Sequence, residues 1–183
     1  VALLRKSAMQ GFLGALLPED YGGAALDAIS YILLLEEVAK SCMSMAMVLH
    51  VHNGLAGQAI RLHGSVAQQE AWLPALAEGS VIGAWAFAEA DGSGLADLQT
   101  RAIPDGAGYR LNGAKAWVSN ASIAGLLVVL AATPEGPTAF LVPADSPIGQ
   151  LQGGTNMVVI EGDSVGQIVL RGAGAGEGPT ASA

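Results

Sequence analysis

The sequence has 183 residues, enough for one ordinary domain or two small ones. Its 16 acidic residues outnumber its 8 lysines and arginines, and the resulting formal net charge of −8 argues against nucleic acid and anionic membrane surfaces as partners. Only 13% of the residues are charged, against about 25% in an average protein, and 51% are hydrophobic, so we expect large apolar faces to be buried against partners, as in a homo-oligomer.

Residues 1–80 have the pattern of a helical domain. A short helix is predicted to end near Gly11 or Gly14, and Asp27 and Ser65 are suitable N-caps for later helices. Apolar residues at helical spacing predict three further helices, over 27–40, 44–62 and 65–78. The middle one is apolar on nearly all sides, so we expect it to be buried.

After Gly79 the pattern changes to short apolar segments bounded by turn residues, which predict strands. Hairpin turns are predicted at PDGAG, residues 104–108, and at the tighter pair Asn112-Gly113. The predicted strands are 81–88, 99–103, 108–111, 126–132 and 138–142. A helical half followed by a β half favours an α+β fold over alternating βαβ units, with domains at 1–80 and 81–150.

Neither a membrane segment nor a disulfide is predicted. No apolar run approaches the ~18–20 residues that a membrane-spanning helix needs. The single cysteine, Cys42, cannot form an internal disulfide and lies in an apolar helical pattern. A small buried hydrophobe is favoured over a nucleophile there, and a reducing, cytoplasmic location is expected.

Titratable side chains provide little evidence of catalysis. The three histidines are His50, His52 and His63. No Cys or carboxylate stands at ligand spacing from them, so no metal site is predicted. Carboxylate pairs occur at Glu36-Glu37 and at Glu89/Asp91. Adjacent carboxylates on a helix are typical of a solvated edge, and nothing else marks Glu36-Glu37 as an acid–base pair.

Two glycine-rich stretches could direct backbone N–H groups toward an anion. They are AEADGSGLADL at 88–98 and RGAGAGEGPTASA at 171–183, and each follows a predicted strand. Gly, Ser and Asp also make ordinary loops, so the composition leaves both interpretations open.

Taken in order, five separated segments resemble the acyl-CoA dehydrogenase family. They are LLPEDYGG, HGSVAQQEAWLPALAEGS, AFAEADGSGLADLQTRA, YRLNGAKAWVSN and TAFLVPADSP. The resemblance is collinear from about Gly11 to about Pro147. It implies an N-terminal α-helical domain followed by a partial middle β-barrel domain, without the family's C-terminal helical bundle in these residues. It also implies FAD as cofactor, an acyl-CoA substrate and an electron-transfer acceptor as partner.

The resemblance suggests a role for Trp117, which lies beside the predicted Asn-Gly turn where a large ring is hard to bury. In the family this position stacks near the flavin. Ser119, where the family often has Thr, would offer its hydroxyl to flavin N5, and the backbone of Val118 and Ser119 would help to fix the ring. The alternative is a tryptophan at a strand end that packs on the barrel.

A second flavin-contacting strand and loop is implied at 85–93, with Trp85, Phe87, Ala88, Gly92 and Ser93 as cofactor-binding residues. Ser93 would also lie near the acyl-CoA. This loop departs from the family pattern because Ala replaces Thr at 88 and Pro at 90, Gly replaces Asp at 94, and one residue is missing before 92. These changes remove an expected hydroxyl and move the backbone donors.

The family reaction is FAD-dependent α,β-dehydrogenation of acyl-CoA thioesters, and its base is a carboxylate of the C-terminal bundle. No glutamate here is assigned that role, so no catalytic residue is named and the chain is expected to be inactive alone. A non-catalytic interaction or assembly module is the alternative, because 51% of the residues are hydrophobic.

From about Thr155 the sequence resembles a short piece of homoserine dehydrogenase, in which a strand pair and a Gly-Ala-Gly loop lead into a helix. A third segment is therefore predicted at 151–183. It implies a further alternative, a fragment of an NADP-dependent homoserine dehydrogenase-like oxidoreductase. The junction near 150–155 would then join two different fragments.

Overall fold

A computed structural model describes residues 2–90, 94–106, 108–144, 150–152, 157–160, 164–165 and 169–170. The helices are α1 (Ala2–Met9), α2 (Ala28–Ser41), α3 (Met43–Leu49), α4 (Gln58–His63) and α5 (Val66–Glu78). Across these ranges no helix has the length and apolarity needed to span a membrane.

The predicted helix ends are confirmed by their hydrogen bonds. Asp27 caps α2 because its carboxylate accepts two backbone N–H groups of the first turn. Ser65 and Gln68 form a reciprocal capping box at the start of α5. Gly79 ends α5 in the left-handed conformation, with φ 78°. These contacts are local in sequence, which is why the sequence alone could predict them.

The predicted helix at 44–62 is one helical run from α3 to α4, but its middle, His50–Gly57, is π-helical. Two buried polar side chains, His52 and Asn53, lie in this segment. Asn53 Nδ2 donates to the carbonyl oxygens of Phe12 and Leu49, which ties the loop after α1 to the run. The run therefore has polar anchors inside an otherwise apolar layer.

The β half forms a mixed, curled sheet that resembles half of a barrel. Its strands are β1 (Gly83–Ala86), β2 (Arg101–Asp105), β3 (Gly108–Lys115), β4 (Leu126–Thr133), β5 (Gly136–Pro143), β6 (Gln150–Gln152), β7 (Met157–Ile160), β8 (Ser164–Val165) and β9 (Val169–Leu170). The main order is β6-β7-β3-β2-β4-β5-β9, with β1 beside β4 and β8 beside β3. The α+β prediction is confirmed, and the strands after residue 150 pair with β3, β5 and each other.

The predicted turn at Asn112-Gly113 is wrong, because both residues lie inside β3. Asn112 pairs with Arg101 of β2, and Gly113 pairs with Ile160 of β7. Strand partners on both sides extend the strand through a dipeptide that in isolation favours a turn. Gly113 is needed for another reason: its φ is 153°, and a Cβ there would lie 2.6 Å from Thr100 Cα.

Strand β4 joins the two halves of the molecule because both of its faces are buried. Leu126 and Val128 pack against a cluster from the helices that includes Ile60, Leu73 and Leu76. The alternate residues, Leu127, Val129 and Ala131, pack inside the curled sheet with Phe140 and Val142. The continuous apolar run of β4 is thus explained by a helical layer on one face and the sheet interior on the other.

Candidate functional site

Two predicted site segments meet at one edge of the sheet. Residues 87–89 follow β1, and residues 116–119 follow β3. The N–H of Ala116 donates to the carbonyl oxygen of Ala88 at 2.8 Å, which holds the two segments side by side. Trp85, on β1, is half-buried against the helical cluster. Gly92 and Ser93 lie outside the described residues.

Trp117 is presented to solvent at this edge. Its side chain is 77% exposed and its backbone is left-handed, with φ 57°. This exposure contradicts the alternative in which the ring packs on the barrel. Positive φ is uncommon for a residue other than glycine and costs about 1–3 kcal/mol. The strain makes this exposed ring a candidate binding group.

The residues that follow Trp117 anchor its loop. Val118 is buried in the sheet interior, and Ser119 is half-buried beside it. Asn120 is also left-handed, with φ 67°. Its Nδ2 donates to the carbonyl oxygens of Val48 at 3.1 Å and Gly83 at 3.0 Å, so one side chain ties this loop to both α3 and β1.

A buried ion pair lies beneath the same edge. Lys115 Nζ is 2.7 Å from Glu89 Oε1, and the side chains are 0% and 5% exposed. Lys115 also donates to the carbonyl oxygen of Phe87 at 3.0 Å. A linear reading of the sequence does not pair these residues. The available signal is that Lys115 follows the buried Leu111 by four residues in β3, so both face inward and the lysine needs a buried partner.

The carboxylate of Glu89 is fully engaged. It accepts hydrogen bonds from Lys115, from the hydroxyl and N–H of Thr100, and from the N–H of Gln99. Burial alone would raise the pKa of Glu89, but these donors outweigh it and lower the pKa to about 2. Burial lowers the pKa of Lys115, and the neighbouring Glu89 carboxylate opposes that shift. An ionised carboxylate with both oxygens occupied is a structural acceptor and not a general base.

The described residues at this edge present groups that could bind a ligand. It offers an exposed aromatic ring, a hydroxyl and backbone groups on two adjacent segments. Within the described ranges no cluster of three or more His, Cys, Asp and Glu side chains is placed to hold a metal ion.

Comparison with known proteins identifies the two halves separately. Residues 1–80 match the acyl-CoA dehydrogenase N-terminal domain, and residues 84–172 match the middle domain of the same enzymes. The human mitochondrial short-chain specific acyl-CoA dehydrogenase is 34% identical over 92% of this chain and 42% of its own length. The chain thus spans less than half of that relative.

Solved structures agree with the sequence matches. Glutaryl-CoA dehydrogenase from Mycobacterium smegmatis superposes with a TM-score of 0.86 at 33% identity, over 94% of this chain and 47% of that one. An acyl-CoA dehydrogenase complexed with FAD from Bacillus anthracis gives a TM-score of 0.85 at 28% identity, over 93% of this chain and 32% of that one. Both share the fold over nearly all of the chain.

The middle-domain match reaches residue 172, so it includes the strands β6 to β9. None of these matches supports the homoserine dehydrogenase alternative. The resemblance of 155–183 to that enzyme and the domain boundary at 150 stay predictions, and residues 171–183 lie outside the described part of the chain. The chain belongs to the acyl-CoA dehydrogenase family, of which it carries the N-terminal and middle domains.

Proposed function

We propose that this chain is the flavin-binding part of an acyl-CoA dehydrogenase and binds FAD at the edge formed by residues 85–88 and 117–119. The observation that carries the proposal is Trp117, exposed at 77% in a left-handed backbone conformation. A planar, partly apolar cofactor that covers this ring would compensate the cost of exposing it. The face therefore fits an isoalloxazine ring.

Each residue of the face has a proposed part in binding. Trp117 would stack on the ring, the Ser119 hydroxyl would donate a hydrogen bond, and the Val118 backbone would fix the ring edge. Trp85, Phe87 and Ala88 would form the adjoining wall. Gly92 and Ser93, which lie outside the described residues, are proposed to complete the loop, with Ser93 also near the acyl-CoA. FAD, when bound, supplies the acceptor for the hydride that α,β-dehydrogenation removes from an acyl-CoA.

We propose that these residues bind cofactor without turning over substrate. The role of Glu89 supports this, since hydrogen-bond donors contact both of its carboxylate oxygens and lower its pKa, which makes it a weak base for a substrate proton. Acyl-CoA as substrate and an electron-transfer flavoprotein as acceptor are proposed by similarity to the relatives. A cytoplasmic location is proposed with them, in keeping with the single, half-buried Cys42.

The experiment is a titration of the purified chain with FAD, followed by flavin absorbance and fluorescence. We expect saturable binding near one FAD per chain and no bleaching on addition of acyl-CoA. Trp117→Ala should weaken binding, whereas Trp72→Phe, which changes an indole of α5 outside residues 85–88 and 117–119, serves as an aromatic control. A parent chain that gives no saturable change in flavin absorbance or fluorescence at high FAD would refute the proposal.

A second candidate function, a non-catalytic interaction module, is favoured by an apolar stripe on α2. Ile29, Ile32 and Leu33 are 73%, 62% and 56% exposed, and Met43 and Met47 of α3 are exposed as well. We propose that a second copy of this chain covers the stripe and forms a homo-oligomer. Size-exclusion chromatography with light scattering tests this: Ile32→Lys should convert an oligomer to a monomer, and a monomeric parent would contradict it.

A further inference from the structure

The Glu89–Lys115 pair lies between the two segments of the proposed flavin face. Lys115 is two residues before Trp117, and Glu89 directly follows Ala88. Lys115 Nζ reaches both the Glu89 carboxylate and the carbonyl oxygen of Phe87. The Ala116 N–H donates to the Ala88 carbonyl. Two consecutive residues at the end of β3 are thus hydrogen-bonded to three consecutive residues after β1.

Stability alone does not explain a fully buried lysine at this position. Removing an ammonium group from water is costly, and apolar residues of similar volume are often no less stable than a buried ion pair. Glu89 is already held by the N–H groups of Gln99 and Thr100 and by the Thr100 hydroxyl. The contact that depends on Lys115 is the link from this fixed carboxylate to the Phe87 backbone.

The far end of the same segment is held independently. Asn120 is bonded to Val48 and Gly83, and Val118 is buried. Trp117 therefore lies between two anchors, Lys115 on one side and Asn120 on the other. A left-handed residue persists only when its surroundings determine its conformation.

We propose that the Glu89–Lys115 pair is a positioning device that holds residues 87–88 and 116–119 in register and fixes Trp117 in its ligand-ready conformation before any ligand arrives. Lys115 is thus a positioning residue that acts through Trp117. This inference rests on the proposed function in one respect: the face that the pair positions is the one proposed to bind FAD.

The test uses 19F NMR on ligand-free chain labelled with 5-fluorotryptophan. The three tryptophans, Trp72, Trp85 and Trp117, give three resonances that single Trp→Phe variants assign. In Lys115→Met we expect the Trp117 resonance to shift or broaden while that of Trp72 stays in place. Arg110→Met is the matched control. Arg110 lies in the same strand as Lys115, but its cationic side chain is exposed and pairs with Asp105.

Affinity for FAD is measured on the same proteins, at a temperature where far-UV circular dichroism shows each of them folded. Without its anchor, Trp117 must be ordered by the ligand, so FAD affinity should fall roughly tenfold in Lys115→Met and stay at the parent value in Arg110→Met. If Lys115→Met does not fold, the double variant Glu89→Gln/Lys115→Met, which removes both charges, takes its place.

Two outcomes overturn the inference. One is an unchanged Trp117 resonance in the folded Lys115 variant. The other is an equal disturbance of all three resonances, which would make the pair a general support of the core. A parent chain that fails to bind FAD would refute the proposed function, and the spectra of the ligand-free chain would still decide whether the pair positions Trp117.

Discussion

His52 and Gly83 are joined by a buried hydrogen bond in which the Gly83 N–H donates to His52 Nδ1 at 2.9 Å. On the other side of the ring, Nε2 is 3.1 Å from the carbonyl oxygen of Leu76. The carbonyl can only accept, so Nε2 carries a proton, and Nδ1 accepts from the Gly83 N–H and carries none, so the ring is neutral. One imidazole thus connects the π-helical segment, α5 and the start of the first strand, at the end opposite to Phe87 and Ala88.

The burial of this neutral imidazole makes stability depend on pH. Burial lowers the pKa of His52 from 6.5 to about 4. The unfolded chain therefore binds the proton more readily than the folded chain, and the free energy of unfolding should fall as pH drops from 6.5 to about 4. The loss should total roughly 3 kcal/mol, at about 1.36 kcal/mol per pKa unit. Urea denaturation at pH 7.5, 5.5 and 4.5 measures it.

A pair of variants isolates His52 as the cause. His52→Asn keeps an acceptor for the Gly83 N–H but cannot titrate, so it should show a flatter pH dependence over this interval. His63→Gln removes an exposed histidine at the end of α4 and should keep the parental slope. An equal slope in parent and His52→Asn would assign the effect to other groups.

Trp117→Gly should stabilise the ligand-free chain. Glycine adopts positive φ freely, so the change relieves the strain at φ 57° and removes little packed surface. After the greater backbone entropy of glycine is subtracted, we expect a gain of roughly 0.5–1 kcal/mol, seen as a higher Tm. FAD affinity should fall in the same variant, since the stacking ring is gone. A lower Tm would show that the ring supports the fold.

Ser119→Ala should weaken FAD binding by a smaller amount than Trp117→Ala. Deleting one hydroxyl removes a hydrogen bond worth about 0.5–1.5 kcal/mol, and the half-buried position requires no change in packing. Paired titrations and thermal melts check both effects. Equal FAD affinity in Ser119→Ala and the parent, with an unchanged Tm, would remove Ser119 from the site.

Gly113→Ala should be strongly destabilising. The new Cβ would lie 2.6 Å from both Cα and Oγ1 of Thr100, and φ 153° is unfavourable for alanine. Overpacking and backbone strain together should cost at least about 3 kcal/mol. Gly106→Ala, in the β2–β3 hairpin, is the matched control, because its φ is 60° but no atom lies within 4 Å of the added Cβ. Similar losses at both positions would show that strain alone matters.

Short-range chemistry let the sequence by itself determine much of the fold. The caps at Asp27 and Ser65 and the stop at Gly79 depend on contacts within a few residues. The PDGAG hairpin is equally local and is confirmed between β2 and β3. Motif order also predicted the family, and the matches to its N-terminal and middle domains confirm it.

The tertiary structure decided what long-range partners control. Asn112-Gly113 lies inside a strand because β2 and β7 pair with it from both sides. Lys115 is buried because Glu89, 26 residues earlier in the chain, lies where the ammonium group must go. Trp117 is exposed because anchors on either side of it hold a left-handed turn that no local pattern specifies. Each of these three features depends on contacts between residues distant in sequence. The local sequence pattern does not show which contacts form, so it could not predict them.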